Sequence, residues 1–427
     1  MDKKVLIITY YWPPAGGPGV QRWLKFVKYL PGLGIEPHVY IPENPAYPII
    51  DRNLVGEVPR QAVIVRKKII EPYKFASFFS GKKTKKLSAG IIPSERKQTF
   101  SEKVALWIRG NIFIPDARVF WVRPSVRFLS RYLIEHKIDT IITTGPPHSL
   151  HMIGLRLKSV ADIKWIADFR DPWTTIGYHK ELKLTPYSEG RHKDLEKMVL
   201  RRADQIIVTS KTTKADFEVI TSKPIEVITN GYDLEQVPDK GLDRKFSLAH
   251  IGSLLSERNP RFLWQALSEI IKENDDFKTD FELKLIGNVS RNVLDALNTY
   301  GLSDHVLNLG YVSHSEAIVQ QRSSQLLLLI EINSAATKSI IPGKLFEYMV
   351  SGRPIIGIGP TGSDFADILI ETNTGVFIDY AEKEKLKASI LRFYQAYKTG
   401  SLKASGVGLQ KYSRENLTKH LATLLTQ

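Results

Sequence analysis

The sequence contains no cysteine, which excludes structural disulfides, thiolate zinc sites and cysteine nucleophiles. Long apolar runs are missing too. The longest, such as residues 5–12, fall well short of the roughly 18 consecutive apolar residues that a membrane-spanning helix needs. Lys3 and Lys4 ahead of that run suggest a secretory leader. The run is short, however, ends at Pro13-Pro14 and has no small-residue cleavage site after it, so a first buried strand and a cytoplasmic protein are expected. No Asp-x-Asp triplet occurs, which removes the usual short carboxylate pair for a divalent metal. Short repeats and low-complexity tracts are absent as well.

What is present points to a globular α/β protein. At 427 residues and 43% apolar content, two domains are the natural expectation. The net charge of +15 has a local source: residues 66–97 carry ten Lys or Arg against two Glu, with Tyr73, Phe75, Phe78 and Phe79 interleaved. That mixture suits an anionic membrane surface, where each cation contributes about 1 kcal/mol. It also suits nucleic acid, and a solvated basic loop explains the same residues. The positive charge clusters away from the strand-end motifs and no nucleic-acid module is recognisable, so nucleic acid is not an expected partner.

Buried strands are expected at residues 3–10, 38–41, 139–144, 165–169 and 205–209, with another running into Asn230-Gly231-Tyr232-Asp233. Gly16, Gly17 and Gly19 follow the first strand and precede a helix over 20–30. Their spacing is not the dinucleotide fingerprint, and no Gly-Lys-Ser/Thr makes it a P-loop. These glycines either let a backbone approach a ligand or simply shape the turn. Residues 44–116 resist parsing, apart from helical periodicity over 103–109. A charged, turn-rich stretch at 238–245 reads as a linker, after which the rhythm restarts. Strands are expected at 246–251 with Gly252 behind it, 282–286, 305–309, 326–330, 354–359 and 375–377, and an amphipathic helix at 413–425. The expectation is a pair of Rossmann-like, doubly wound domains, 1–240 and 241–405, facing each other across a cleft. A C-terminal helix in 406–427 would pack back on the first domain.

The second half centres on residues 342–352, placed between two apolar strands so that the loop before the helix falls at the carboxyl edge of the sheet. Pro342 opening and Gly352 closing give a helix of about two and a half turns. Lys344 and Glu347, three apart, share a face. Amides near Gly343 and the Lys344 ammonium suit a phosphate, and Glu347 suits a pair of ribose hydroxyls. An ordinary solvated i,i+3 ion pair accounts for the two residues equally well.

The glycine loop, Asn230-Gly231-Tyr232-Asp233, Gly252, Leu285-Ile286-Gly287, Leu309-Gly310-Tyr311-Val312 and Lys344-Leu345-Phe346-Glu347-Tyr348, taken in order over nearly the whole chain, resemble the GT-B glycosyltransferases, specifically retaining family 4. Asp168-Phe169-Arg170-Asp171-Pro172-Trp173 resembles a signature of a bacterial subgroup that builds surface polysaccharides. The resemblance implies a nucleotide-sugar donor, a glycan or lipid-linked acceptor and transfer with retention, by front-face attack without a stable glycosyl-enzyme. Two positions depart from the pattern. Ser339 stands where the family commonly carries the first glutamate of a Glu-x7-Glu pair, and Ser253 where arginine is usual; Arg258 takes roughly the place of the family's lysine.

Breaking the bond to a diphosphate builds negative charge on the leaving group, and either a metal or fixed cations can stabilise it. With no Asp-x-Asp pair, no metal or other cofactor is expected. Arg258, Lys344 and the amides near Gly343 are the expected stabilisers, with Gly16, Gly17, Gly19 and Gly252 lining the diphosphate. His148 is the candidate catalytic side chain on the first domain, although a rim histidine satisfying a loop carbonyl fits it equally. Asp168, Arg170, Asp171 and Ser339 are candidate contacts for acceptor or sugar; Arg170 and Asp171 also suit a mutual pair that shapes the loop. Docking at the inner membrane face would use the basic stretch at 66–97. The rival expectations are a nucleotide-sugar epimerase of the same fold and a non-catalytic basic nucleic-acid-binding protein.

Overall fold

The computed structural model describes residues 3–71, 100–176, 179 and 182–427. Most of the basic aromatic stretch, residues 72–97, lies outside the described residues. The chain divides into two compact units, one of Met1–Asn230 with Arg414–Gln427 and the other of Gly231–Ser413.

The first unit is built on a seven-stranded parallel sheet: β1 (Lys3–Ile8), β2 (Ile35–Pro42), β3 (Val63–Lys67), β4 (Thr140–Gly145), β5 (Lys164–Phe169), β6 (Gln205–Val208) and β7 (Ile225–Val227), in the order β3-β2-β1-β4-β5-β6-β7. Side chains alternate faces along a strand, and both faces are covered. Leu6 and Ile8 of β1 enter one apolar cluster with Trp121, Leu129 and Trp165. Val5 and Ile7 enter another with Trp23, Leu24 and Val27 of α1 (Pro18–Tyr29). This is why β1 reads as a continuous apolar run instead of an alternating one. The other helices that matter here are α2 (Val119–His136), α3 (Ser149–Val160) and α4 (Pro186–Arg202).

The second unit has a six-stranded parallel sheet ordered β10-β9-β8-β11-β12-β13, from β8 (Phe246–Ile251), β9 (Phe281–Ile286), β10 (Val306–Gly310), β11 (Leu326–Ile330), β12 (Ile355–Gly359) and β13 (Gly375–Asp379). Leu326, Leu328 and Ile330 face one cluster while Leu327 and Leu329 face the other. Two helices of this unit recur below: α5 (His314–Ser323) and α6 (Lys344–Met349). The stretch expected to be a linker, 238–245, instead belongs to this unit. It is tied there by side chains: Asp243 accepts from Ser247 and Lys284, Lys245 lies 4.0 Å from Glu282, and the Arg244 carbonyl accepts from Tyr397.

The final helix, α7 (Arg414–Thr426), belongs to the first unit. Its Leu417, Leu421, Leu424 and Leu425 join the cluster on the α1 face. Among the described residues no helix is long and apolar enough to cross a membrane.

Candidate active site

In the second unit, the carboxyl ends of β8 and β11 and the start of α6 bring the expected cations together. Beyond β8 the chain turns at Gly252, where φ is +123°, and beyond β9 at Gly287, where φ is +120°. A Cβ on Gly252 would lie 2.8 Å from Lys344 Nζ, and one on Gly287 would lie 2.5 Å from the Gly252 carbonyl oxygen. The two glycines therefore stack backbone on backbone and leave the Lys344 ammonium seated against the turn. Tyr348, one turn along α6, fixes the helix to the same strand: its hydroxyl accepts from the Ile251 amide at 3.0 Å and donates to the Ile251 carbonyl at 3.3 Å.

Helix α6 is shorter than the sequence suggests, with six residues instead of two and a half turns. The amides of Leu345 and Phe346 already donate to the carbonyls of Pro342 and Gly343. Among the described residues, those of Gly343 and Lys344 make no backbone hydrogen bond. Lys344 and Glu347 do not form the i,i+3 pair. Lys344 makes no hydrogen bond or ion pair among the described residues, whereas Glu347 accepts from Gln321 of α5 at 3.0 Å and lies 4.0 Å from His314. Burial, and then the neighbouring Arg258, pull the Lys344 pKa down to about 8.

Arg258 donates through Nη2 to both oxygens of Glu331, at 3.1 and 3.4 Å, and its Nε is buried without a partner among the described residues. Glu331 is 1% exposed and also accepts from the Ile332 amide at 2.8 Å. Three charged side chains thus share one rim: one carboxylate that holds Arg258, and two cations. Beneath them His250 donates through Nδ1 to the Leu328 carbonyl of β11 at 3.1 Å, and burial, then Lys344, push its pKa well down.

In the first unit the rim is organised by Asp168, at the end of β5. Its carboxylate accepts from Arg22 at 2.8 and 3.4 Å, Trp23 Nε1 at 2.8 Å and Thr144 at 2.8 Å. Burial raises its pKa, but the Arg22 guanidinium and these hydrogen bonds outweigh burial and hold it below the ordinary value. Asp168 is therefore spent on binding α1 to the sheet and has no exposed surface for a sugar. Arg170 ties the first turn of α1 to the loop after β4, donating to the Gly19 carbonyl at 3.0 Å and the Pro146 carbonyl at 3.1 Å. Its guanidinium fills the space beside Gly19, where a Cβ would lie 2.5 Å from Nη1. Gly16 packs in the same way on Ile49. Of the three loop glycines only Gly17, with φ at +97°, faces open space. Asp171 stands 3.8 Å from Arg170 and its side chain is 42% exposed.

His148 opens α3 with its ring stacked on Trp173, the centroids 4.7 Å apart. It is 6% exposed, and neither ring nitrogen has a hydrogen-bond partner among the described residues. Burial, then the nearby His151, push its pKa well below the ordinary value. Among the described residues no loop carbonyl satisfies it. The neutral imidazole keeps a donor and an acceptor at this strand-end rim, but both nitrogens are buried and do not reach a ligand as the side chain stands.

Comparison with known families agrees with this layout. The model described as Glycosyltransferase Family 4 matches residues 91–236, and that described as Glycosyl transferases group 1 matches residues 245–396. Together they cover well over half of the sequence. The chain belongs to glycosyltransferase family 4.

Solved structures share its two-sheet GT-B fold at low identity. Sucrose-phosphate synthase from Thermosynechococcus elongatus is 15% identical with a TM-score of 0.62, covering 100% of this chain and 98% of its own. Anabaena Alr3699/HepE, solved with UDP and glucose, is 13% identical with a TM-score of 0.60 over 100% of both chains. A protein described as a putative UDP-N-acetylglucosamine 2-epimerase from Listeria monocytogenes is 13% identical with a TM-score of 0.55, covering 100% of this chain and 96% of its own. A search of curated proteins finds no match.

In this glycosyltransferase, Ser339 lies half-buried in the segment between β11 and α6, and its hydroxyl has no hydrogen-bond partner among the described residues. The residues that sequence reasoning missed are Glu331 and Arg22. Glu331 had a signal, being an acid that ends a five-residue apolar strand at the binding edge. Arg22 had none, because its partner Asp168 is 146 positions away.

Proposed function

We propose that the chain transfers a sugar from a nucleotide-diphosphate donor to a glycan or lipid-linked acceptor, with retention and without a metal, in cell-surface polysaccharide synthesis. The observation that carries this reading is the Lys344 ammonium, half-buried beside Arg258 and unpaired among the described residues, with Glu347 one turn further along α6. The diphosphate meets the two cations, and Glu347 accepts from the ribose hydroxyls. As the anomeric carbon–oxygen bond breaks, its electron pair stays on the departing phosphate, where Arg258 and Lys344 stabilise the growing charge. The acceptor hydroxyl bonds to the same face of the anomeric carbon and its proton passes to the departing phosphate oxygen. His148 leaves its buried position to contact a sugar or acceptor hydroxyl. The metal-free reading rests on the fixed cations and on the missing Asp-x-Asp triplet.

The protein works in the cytoplasm, and the basic segment at 66–97 holds it on the anionic inner face of the membrane. Anabaena HepE was solved with UDP, which makes UDP the first nucleotide to try. Thermal stabilisation against UDP, GDP, ADP and CDP, with and without EDTA, tests the site. One nucleotide is expected to stabilise the protein and to keep doing so in EDTA; no shift from any of them would overturn the reading. The Listeria neighbour keeps a second reading alive, a nucleotide-sugar epimerase. Conversion of a nucleotide-sugar with no acceptor present would favour it.

A further inference from the structure

The first unit carries a groove that the donor chemistry does not use. It has a volume of about 840 Å³ and lies between the outer face of α2 and the edge strand β3. Arg123, Arg127 and Arg131 form one wall, Lys67 stands opposite, and Phe128 and Tyr132 make the floor. The arginines are spaced four apart, so they stand about 6 Å from one another along the helix and span about 12 Å. All three are exposed, and none makes a hydrogen bond or ion pair among the described residues. Lys67 lies 5.2 Å over the Phe128 ring. The rings are held in place from behind, since Phe128 stacks on Tyr40 and Tyr132 bonds to His38. Glu135 is the one acid in the lining.

Three arginines in a row without partners among the described residues repel one another, and the one acid in the lining, Glu135, stands four residues past Arg131 and leaves an excess of positive charge. A repeating anion would offset it. Lys67 ends β3 and Arg123 sits just inside the start of α2, so the groove opens at the carboxyl rim of the sheet and leads away from it. Guanidinium forks match carboxylate and phosphate groups, and half-buried aromatic faces suit the apolar faces of sugar rings. The groove is concave, whereas a bilayer surface asks for a protruding one.

We infer that this groove binds an acidic glycan, the anionic chain of the acceptor, whose growing end reaches the rim while the older residues lie along Arg123, Arg127 and Arg131. This rests on the reading of the first unit as the acceptor side. The test uses the full-length protein, a fluorescent oligogalacturonate, a neutral maltooligosaccharide of equal length, and vesicles of equal parts phosphatidylglycerol and phosphatidylcholine. The wild type should bind oligogalacturonate, weaken with salt, and ignore the neutral oligosaccharide. The combined variant Arg123→Ala, Arg127→Ala, Arg131→Ala should lose about tenfold or more in affinity while its nucleotide-dependent thermal shift stays that of the wild type. Equal binding by wild type and variant, no binding of oligogalacturonate, or arginine-dependent binding of the vesicles alone would each overturn the assignment. Loss of the nucleotide shift in the wild type would instead count against the donor site and leave the groove result to be judged by itself.

Discussion

At the residue scale, Lys344 is where charge and burial conflict. Burial, then Arg258, hold its pKa near 8, and an arriving diphosphate supplies the opposite charge that lifts it again. Donor affinity therefore holds below about pH 8 and weakens above it, by up to tenfold per unit, as the free enzyme loses the proton it needs. Calorimetry with the preferred nucleotide diphosphate across neutral to alkaline pH reads this directly. Lys344→Arg keeps a permanent charge and should abolish the alkaline loss; an unchanged profile in that variant would clear Lys344 of the effect. Folding carries the opposite sign. A lysine whose folded pKa lies below its usual 10.5 makes the native state less stable at neutral pH than at high pH, with stability rising from about pH 8 to 10.5. Lys344→Met should accordingly cut turnover by roughly 10²–10³-fold while the melting temperature of the ligand-free protein holds or rises. A variant that keeps its turnover would remove the cation from the mechanism.

At the scale of elements, the site depends on two turns that only glycine can make. Gly287 has φ at +120°, and a Cβ there would lie 2.5 Å from the Gly252 carbonyl oxygen. Gly287→Ala should destabilise the second unit by about 1–3 kcal/mol and weaken nucleotide binding with it, because Gly252 and the Lys344 ammonium rest on the same backbone. Urea denaturation and nucleotide titration on the same sample would show the two losses together; a stable variant with normal affinity would mean that the turns adapt. Those turns were legible as glycines ending strands, and the strands themselves as apolar runs, since two-sided burial leaves so plain a pattern. Harder to read were features decided by distant partners. The run at 238–245 looks like a solvated linker until Lys284 and Tyr397 are seen to engage it. Asp168 looks like a substrate contact until Arg22 and Trp23 are found on it. Gly19 looks like a phosphate loop until Arg170 fills the space beside it. A one-dimensional pattern shows which groups sit at a strand end, but not which of them the fold itself has already used.

At the scale of the whole molecule, buried histidines are unevenly divided, and acid should reveal the division. The first unit buries His38, His148, His151, His179 and His192, all with pKa values below the ordinary 6.5, His151 at about 3 and His179 at about 4. Burial is the leading cause in each. Among the described residues the second unit buries His250 in the same way. As pH falls below about 6.5 the unfolded chain takes up protons that the native first unit refuses, so stability drops with pH down to about 4. Each such group contributes at most about 1.4 kcal/mol per pH unit, so the first unit should lose several kcal/mol more than the second over this window. Unfolding of a two-unit chain need not be a single transition, and amide exchange read separately over 3–230 and 231–413 can follow each unit. Near pH 5 the strands of the first sheet should lose protection well before those of the second. Replacing His192, whose Nδ1 accepts from Trp173 Nε1 at 3.1 Å, with glutamine should keep a polar partner for Trp173 but remove one titrating ring, so that protection of the first sheet persists to lower pH. Equal loss in both units, or no change with His192→Gln, would place the acid response in the carboxylates instead.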